Sequence, residues 1–93
     1  MTKSIICNEK QCCVCGTTYN LHRHHIFGGG RRKASERYGA WVYLCAYHHN
    51  MSDEGVHFDR QLDVLLKTIA QQELEKTMSR DEFRQHFGRS YLD

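Results

Sequence analysis

The longest regular pattern of apolar residues lies in the C-terminal third of the chain. Apolar residues recur there at steps of three and four, which is the spacing of one face of an α-helix. The pattern predicts a helix over about 60–78, with Asp59 as its N-terminal cap. We expect this face to be core packing, with a dimer contact as the alternative; its members are Leu62, Leu65, Leu66, Ile69, Ala70 and Leu74.

Two other helical segments have clear end signals. Ser79 and Glu82 are spaced as in a capping box, so a last helix is predicted to begin at Ser79 and to end near Gly88. A helix or helical turn is also predicted over 48–54, where Gly55 is a natural C-terminal stop.

Two short apolar runs earlier in the chain predict a hairpin. Residues 19–27 and 41–45 are expected to be strands. The glycines at 28–30 end the first strand, and a basic loop with a short helical turn near 34–38 leads to the second. We therefore predict a single α+β domain over 1–93. It has an arm or short edge strand at 1–11, a core at 12–58 and helices at 59–93.

The length and composition of the chain indicate that something besides the hydrophobic core stabilises the fold. A chain of 93 residues buries too little apolar surface for a large stability margin. It has five cysteines and seven histidines, and we see neither a signal peptide nor a membrane span. We expect a cytoplasmic protein, in which clustered cysteines are metal ligands before they are disulfides. The net charge of +2 is too small to identify a nucleic-acid binder.

Two pairs of residues have the spacing of a structural zinc site. One pair is spaced C-x2-C and the other C-x2-H, which together supply four ligands for a tetrahedral Zn²⁺. The alternative is a set of buried thiols with an incidental histidine nearby. Cys7 and Cys13 are expected to be free thiols, with a disulfide between them as the less favoured alternative. The four predicted zinc ligands are Cys12, Cys15, Cys45 and His48.

Segments 21–26 and 44–50, with the C-x-x-C-G knuckle before them and the glycine-rich loop between them, resemble the HNH endonucleases. The resemblance covers about 12–58. It implies a ββα-metal finger, here with a structural zinc site and two C-terminal α-helices. The implied activity is metal-dependent hydrolysis of DNA phosphodiester bonds, in a bacteriophage or prophage setting and hence in the bacterial cytoplasm.

The resemblance also implies roles for individual residues. His25 matches the general base, while His24 and His49 match ligands of a catalytic divalent ion such as Mg²⁺, Mn²⁺ or Ni²⁺. A further ligand is expected from Asp53 or His57, with His57 favoured. Because neighbouring strand residues point to opposite faces, His24 and His25 are expected to divide the work between metal and water.

Two positions depart from the family's pattern. Gly28 stands where the family often has a proline, and Ala40 where it has an asparagine that helps to orient the base.

The expected partner is DNA. Arg31, Arg32 and Lys33 follow the glycines and could contact phosphates, although such a run is by itself often a solvated loop. Two alternatives to a nuclease remain. The histidines could hold a second structural metal, or the chain could be a non-catalytic zinc-stapled module that binds DNA or protein. A homodimer and a phage or host protein partner are left open as well.

Overall fold

The computed structural model describes residues 3–7, 9–51 and 59–92. These form an α+β domain, as predicted. Its strands are β1 (Leu21–His25) and β2 (Trp41–Cys45), and its α-helices are α1 (Arg32–Tyr38), α2 (Arg60–Leu74) and α3 (Arg80–Phe87). A 3-10 turn over Gly29–Arg31 precedes α1, and a π-helical turn over Tyr47–Met51 follows β2.

The two strands pair in antiparallel fashion, with Leu21 opposite Cys45 and His25 opposite Trp41. The bounds of β2 agree with the prediction, but β1 is shorter than the predicted 19–27. At its start, Asn20 has a φ of 52°, a left-handed conformation that interrupts an extended chain. Beyond its end, the backbone N–H and carbonyl of Phe27 both bond to the Ser35 hydroxyl instead of to β2.

The core lies between the hairpin and the two C-terminal helices. Phe27 packs against the rings of Phe83 and Phe87, at centroid distances of 5.5 and 4.5 Å. The prediction that Leu65 belongs to the core face of α2 is wrong, because its side chain is 54% exposed. The buried face of α2 repeats every four residues, a spacing that leaves Leu65 to one side; its buried apolar members are Leu66, Ala70 and Leu74.

The predicted helix caps are present. The Asp59 side chain accepts from two backbone N–H groups at the start of α2, and Ser79 accepts from the N–H of Glu82 at the start of α3. Gly88 ends α3 with a φ of 90°. α2 ends four residues before the predicted Met78, because the chain tightens there: the N–H of Thr77 bonds to the carbonyl of Leu74, three residues back.

The N-terminal segment lies against the hairpin. The N–H of Ile5 donates to the carbonyl of Gly39, and the hydroxyl of Ser4 donates to the carbonyl of Trp41. The segment forms no strand within its described residues. Of the helical segment predicted over 48–54, positions up to Met51 fall in the π-helical turn. Positions 52–54 and the stop at Gly55 lie outside the described residues.

None of the helices in the described ranges is both long and apolar enough to span a membrane.

Candidate functional site

The four predicted zinc ligands lie together at one end of the hairpin. Their ligand atoms are all within 4.8 Å of one another. The Sγ atoms of Cys15 and Cys45 are 3.8 Å apart, and His48 Nδ1 lies 3.3 Å from Cys45 Sγ and 3.8 Å from Cys12 Sγ. The four residues are therefore close enough to bind one metal ion as a Cys3His group.

These distances can be compared with a zinc tetrahedron. With Zn–S bonds of about 2.3 Å and Zn–N bonds of about 2.05 Å, the S···S edge is about 3.8 Å and the S···N edge about 3.6 Å. The Cys15–Cys45 distance equals the first value, and the two distances from His48 Nδ1 lie on either side of the second. The donor set and its spacing therefore fit Zn²⁺.

Backbone hydrogen bonds close the knuckle that holds Cys12 and Cys15, and join it to β2. The knuckle closes where the N–H of Cys12 donates to the carbonyl of Thr17 and that of Gly16 to the carbonyl of Cys12. Gly16 has a φ of 78°, which favours glycine. The N–H of Cys13 donates to the carbonyl of Tyr43, so the knuckle is fixed beside β2, near the strand's last residue, Cys45.

The thiols of this group have unequal acidities. Burial raises the pKa of the Cys12 thiol, but backbone hydrogen bonds, the strongest of them from Cys45, lower it to about 6. For Cys15, a backbone hydrogen bond from Thr17 lowers the pKa, but desolvation and the neighbouring thiols raise it overall. The backbone thus favours a thiolate at Cys12, and thiolate is the form that binds a metal.

Cys7 and Cys13 form a separate pair. Their Sγ atoms are 3.3 Å apart and both thiols are free, as predicted. Burial, together with the contact with Cys7, raises the pKa of Cys13 to about 12. The raised pKa disfavours the thiolate form of Cys13, which lies outside the four-residue Cys3His group.

The predicted catalytic histidines lie on both faces of β1. His22 and His24 share the face of Leu44 and Val42, whereas His25 pairs with Trp41 on the opposite face. His49, in the π-helical turn, joins the first face: its Nδ1 is 2.8 Å from His22 Nδ1, and its ring centroid is 5.4 Å from that of His24. The expected separation of His24 from His25 is confirmed.

On the other face of β1, His25 contacts a carboxylate. His25 Nε2 lies 2.7 Å from Glu36 Oε2, while Arg23 donates to Glu36 Oε1 at 2.8 Å. The guanidinium of Arg23 stacks over the Trp41 ring at 3.7 Å. His25 is thus held from the side of α1, away from His49.

A cavity of about 600 Å³ joins these groups. It opens beside β1, which is an edge strand, so side chains from both faces of the sheet border it. Three histidines and three cations are among its lining residues: His24, His25, His49, Arg23, Arg32 and Lys67. Asp63 lines it as well, and Arg23 and Lys67 are paired with the carboxylates of Glu36 and Asp63. Proton acceptors and the charge of Arg32 thus face one space, which suits an anionic substrate.

The three cations of the basic loop have different surroundings. Arg32 lines the cavity, Arg31 has its Nη1 3.5 Å from the carbonyl of His86 in α3, and Lys33 is exposed. Arg31 is thereby drawn toward the C-terminal end of α3, where a cation is favourable. Of the three residues predicted to bind DNA, Arg32 has the placement best suited to contact a phosphate in the cavity.

His22 and Glu36 are among the residues of this site that were not predicted from the sequence. His22 had a usable signal, because it is two residues from His24 and strand side chains alternate between faces. Glu36 had none, because its contact with His25 depends on how α1 folds back over the hairpin. The remaining predicted ligands, Asp53 and His57, lie outside the described residues.

Comparison with known proteins finds no matching family model, curated protein or solved structure.

Proposed function

We propose that this chain is a metal-dependent DNA endonuclease of the HNH kind, in which the Cys3His group binds a structural zinc ion. The observation that supports this most is the cavity beside β1. It gathers His24, His25 and His49 with Arg23 and Arg32, and it is separate from the zinc group.

The proposed reaction is hydrolysis of a phosphodiester. A water oxygen attacks phosphorus, His25 takes the proton of that water, the bond to the 3′ oxygen breaks, and the leaving oxygen takes a proton from solvent water. A neutral imidazole is suited to the proton transfer near physiological pH, and general base catalysis contributes about 10²- to 10⁴-fold to a rate.

His24 and His49 are proposed to hold a divalent ion such as Mg²⁺, Mn²⁺ or Ni²⁺. Two imidazoles are the described part of the donor set, and they suit transition metals better than Mg²⁺, which prefers oxygen ligands. Asp53 or His57 is proposed as the further ligand. When bound, the ion supplies positive charge next to the phosphate as negative charge builds up on its oxygens.

The cations around the cavity are proposed to bind the DNA backbone. Arg32 is exposed, and its guanidinium can make two parallel hydrogen bonds to one phosphate. Lys67 lies 2.8 Å from Asp63, so part of its charge is already compensated within α2. We therefore expect Arg32 to contribute more to phosphate binding than Lys67.

Nicking of supercoiled plasmid tests the proposal. The zinc-loaded protein is incubated with plasmid in Mg²⁺, Mn²⁺ or Ni²⁺ and with a chelator, alongside His25→Ala. His86→Ala is the matched control, because His86 contacts Tyr38 and does not line the cavity. We expect metal-dependent nicking by the parent and the control, and none by His25→Ala.

The same assay separates the nuclease from the alternative. DNA binding without nicking in any of the metals would refute the proposal in favour of a non-catalytic zinc-stapled binding module. Nicking by His25→Ala at the parental rate would leave a nuclease but would exclude His25 as its base.

A further inference from the structure

We propose that Glu36 is a positioning residue that fixes the tautomer of His25, so that Nδ1 is the nitrogen available to take a proton. This inference rests on the proposed function. Its basis is the contact between His25 Nε2 and Glu36 Oε2 at 2.7 Å, a short distance typical of a hydrogen bond that involves a charged group.

The direction of this bond follows from the chemistry of its partners. An ionised carboxylate only accepts hydrogen bonds, so His25 Nε2 must carry the hydrogen that it donates to Glu36. In a neutral imidazole the other nitrogen then holds the lone pair. Nδ1 is consequently the one basic position of His25, and it lies on the side of the ring away from the carboxylate.

The carboxylate is itself held in place from two directions. Arg23 donates to its other oxygen at 2.8 Å, and the Arg23 guanidinium stacks on Trp41. The Arg23 side chain is only 19% exposed. From the helix side, the neighbouring Ser35 is fully buried and bonds to both backbone groups of Phe27. Both oxygens of Glu36 therefore have partners, although its side chain is 38% exposed.

The contact between His25 and Glu36 lies next to the cavity. His25 borders the cavity from β1, whereas Glu36 is not among its lining residues. His25 thus contacts the carboxylate and also borders the space proposed for the substrate. Removing Glu36 would leave both tautomers and other ring orientations accessible to His25, and only some of these present a lone pair to the attacking water.

Histidine tautomers can be measured directly by long-range ¹H–¹⁵N NMR correlations. The spectra are recorded on the full, zinc-loaded chain without added divalent metal, and the spectrum of His25→Ala identifies the His25 signals. In the parent we expect His25 to be protonated at Nε2 alone. In Glu36→Ala we expect averaged signals from both tautomers. In Glu36→Gln we expect the parental tautomer, because the amide oxygen can still accept from Nε2–H.

Nicking rates give the second readout. We expect Glu36→Ala to lower the nicking rate at saturating DNA about 10- to 100-fold, the usual cost of removing a partner that orients a functional histidine. DNA affinity should stay near the parental value, and Glu36→Gln should recover much of the rate. Glu73→Gln is the matched control, because Glu73 pairs only with Lys76 on the surface of α2 among the contacts described.

The outcomes separate this inference from the proposed function. A parental His25 protonated at Nδ1, or a tautomer unchanged in Glu36→Ala, would overturn the role of Glu36. Parental nicking by Glu36→Ala would do the same. A fixed tautomer in a parent that nicks no DNA would instead refute the proposed function and leave the Glu36 contact as a structural one. Zinc content, measured for every variant, shows whether the fold is kept.

Discussion

The zinc site permits a test in which a ligand is removed with little effect on packing. Cys15 is exposed, unlike Cys12, which is 1% exposed, so Cys15→Ser leaves no cavity in the core. A neutral hydroxyl is a poor replacement for a thiolate, and the remaining three ligands cannot complete a tetrahedron. We expect Cys15→Ser to lose its zinc on dialysis and to melt at a lower temperature than the parent.

The expected size of the effect follows from the site as a whole. Structural zinc sites in zinc-finger peptides bind with about 10–16 kcal/mol near neutral pH, and this binding energy is folding energy. The total stability of a folded domain is only about 5–15 kcal/mol. Because the three ligand distances given above agree with a zinc tetrahedron, we expect a strong chelator to remove most of the parent's stability.

Zinc content by elemental analysis and thermal unfolding by circular dichroism are the assays. Cys7→Ser is the matched control, because its Sγ contacts Cys13 and is not in the Cys3His group. Chelator should lower the melting temperature of the parent and of Cys7→Ser alike, and should change that of Cys15→Ser little. Equal zinc content and equal thermal stability in Cys15→Ser and the parent would refute the reasoning.

Three other perturbations follow from the cavity and the core. Arg32→Ala should weaken DNA binding and reduce the magnitude of the slope of log affinity against log salt by about 0.9, whereas Arg31→Ala should change the slope less. Equal slopes for Arg32→Ala and the parent would exclude Arg32 from phosphate contact. His49→Ala should regain nicking at high Mn²⁺ and His25→Ala should not, because a higher metal concentration can offset a weakened metal site but cannot replace a base. Rescue of His25→Ala by Mn²⁺ would contradict the proposed roles. Phe83→Ala should cost about 3–5 kcal/mol in denaturant unfolding, because the ring is fully buried against two other aromatic rings; a change under about 1 kcal/mol would show that the core relaxes around it.

The features that the sequence predicted well depend on short-range spacing. Both cysteine-containing pairs have two intervening residues, so the turn within each pair can direct its two ligands at one ion. The meeting of the two pairs depends on longer-range contacts, such as the bond from the N–H of Cys13 to the carbonyl of Tyr43. The caps at Asp59 and Ser79 are likewise local, because each side chain bonds to backbone two or three residues ahead. Such signals do not require knowledge of how distant segments pack.

The features that were missed depend on packing between segments. Leu65 has the spacing of a core residue but is exposed, because the packing of α2 against the rest of the domain determines which of its faces is buried. Glu36 reaches His25 because α1 folds back over β1, and this was not visible in the pattern. Ala40 illustrates the same limit: it stands where the resemblance implies an asparagine that orients the base, and the contact that we propose for this role comes from another element, α1.

The zinc group and the cavity are linked through two adjacent histidines. His48 Nδ1 is directed to the thiols of Cys12 and Cys45, while His49 Nδ1 is directed to His22 on β1. Both belong to the same π-helical turn, so a ligand bond at His48 restrains the backbone from which His49 projects. Structural zinc would therefore do more than stabilise the fold, because it would also fix the position of a proposed ligand of the second metal. This coupling is the physical reason to measure zinc content before any loss of nicking is assigned to a cavity residue.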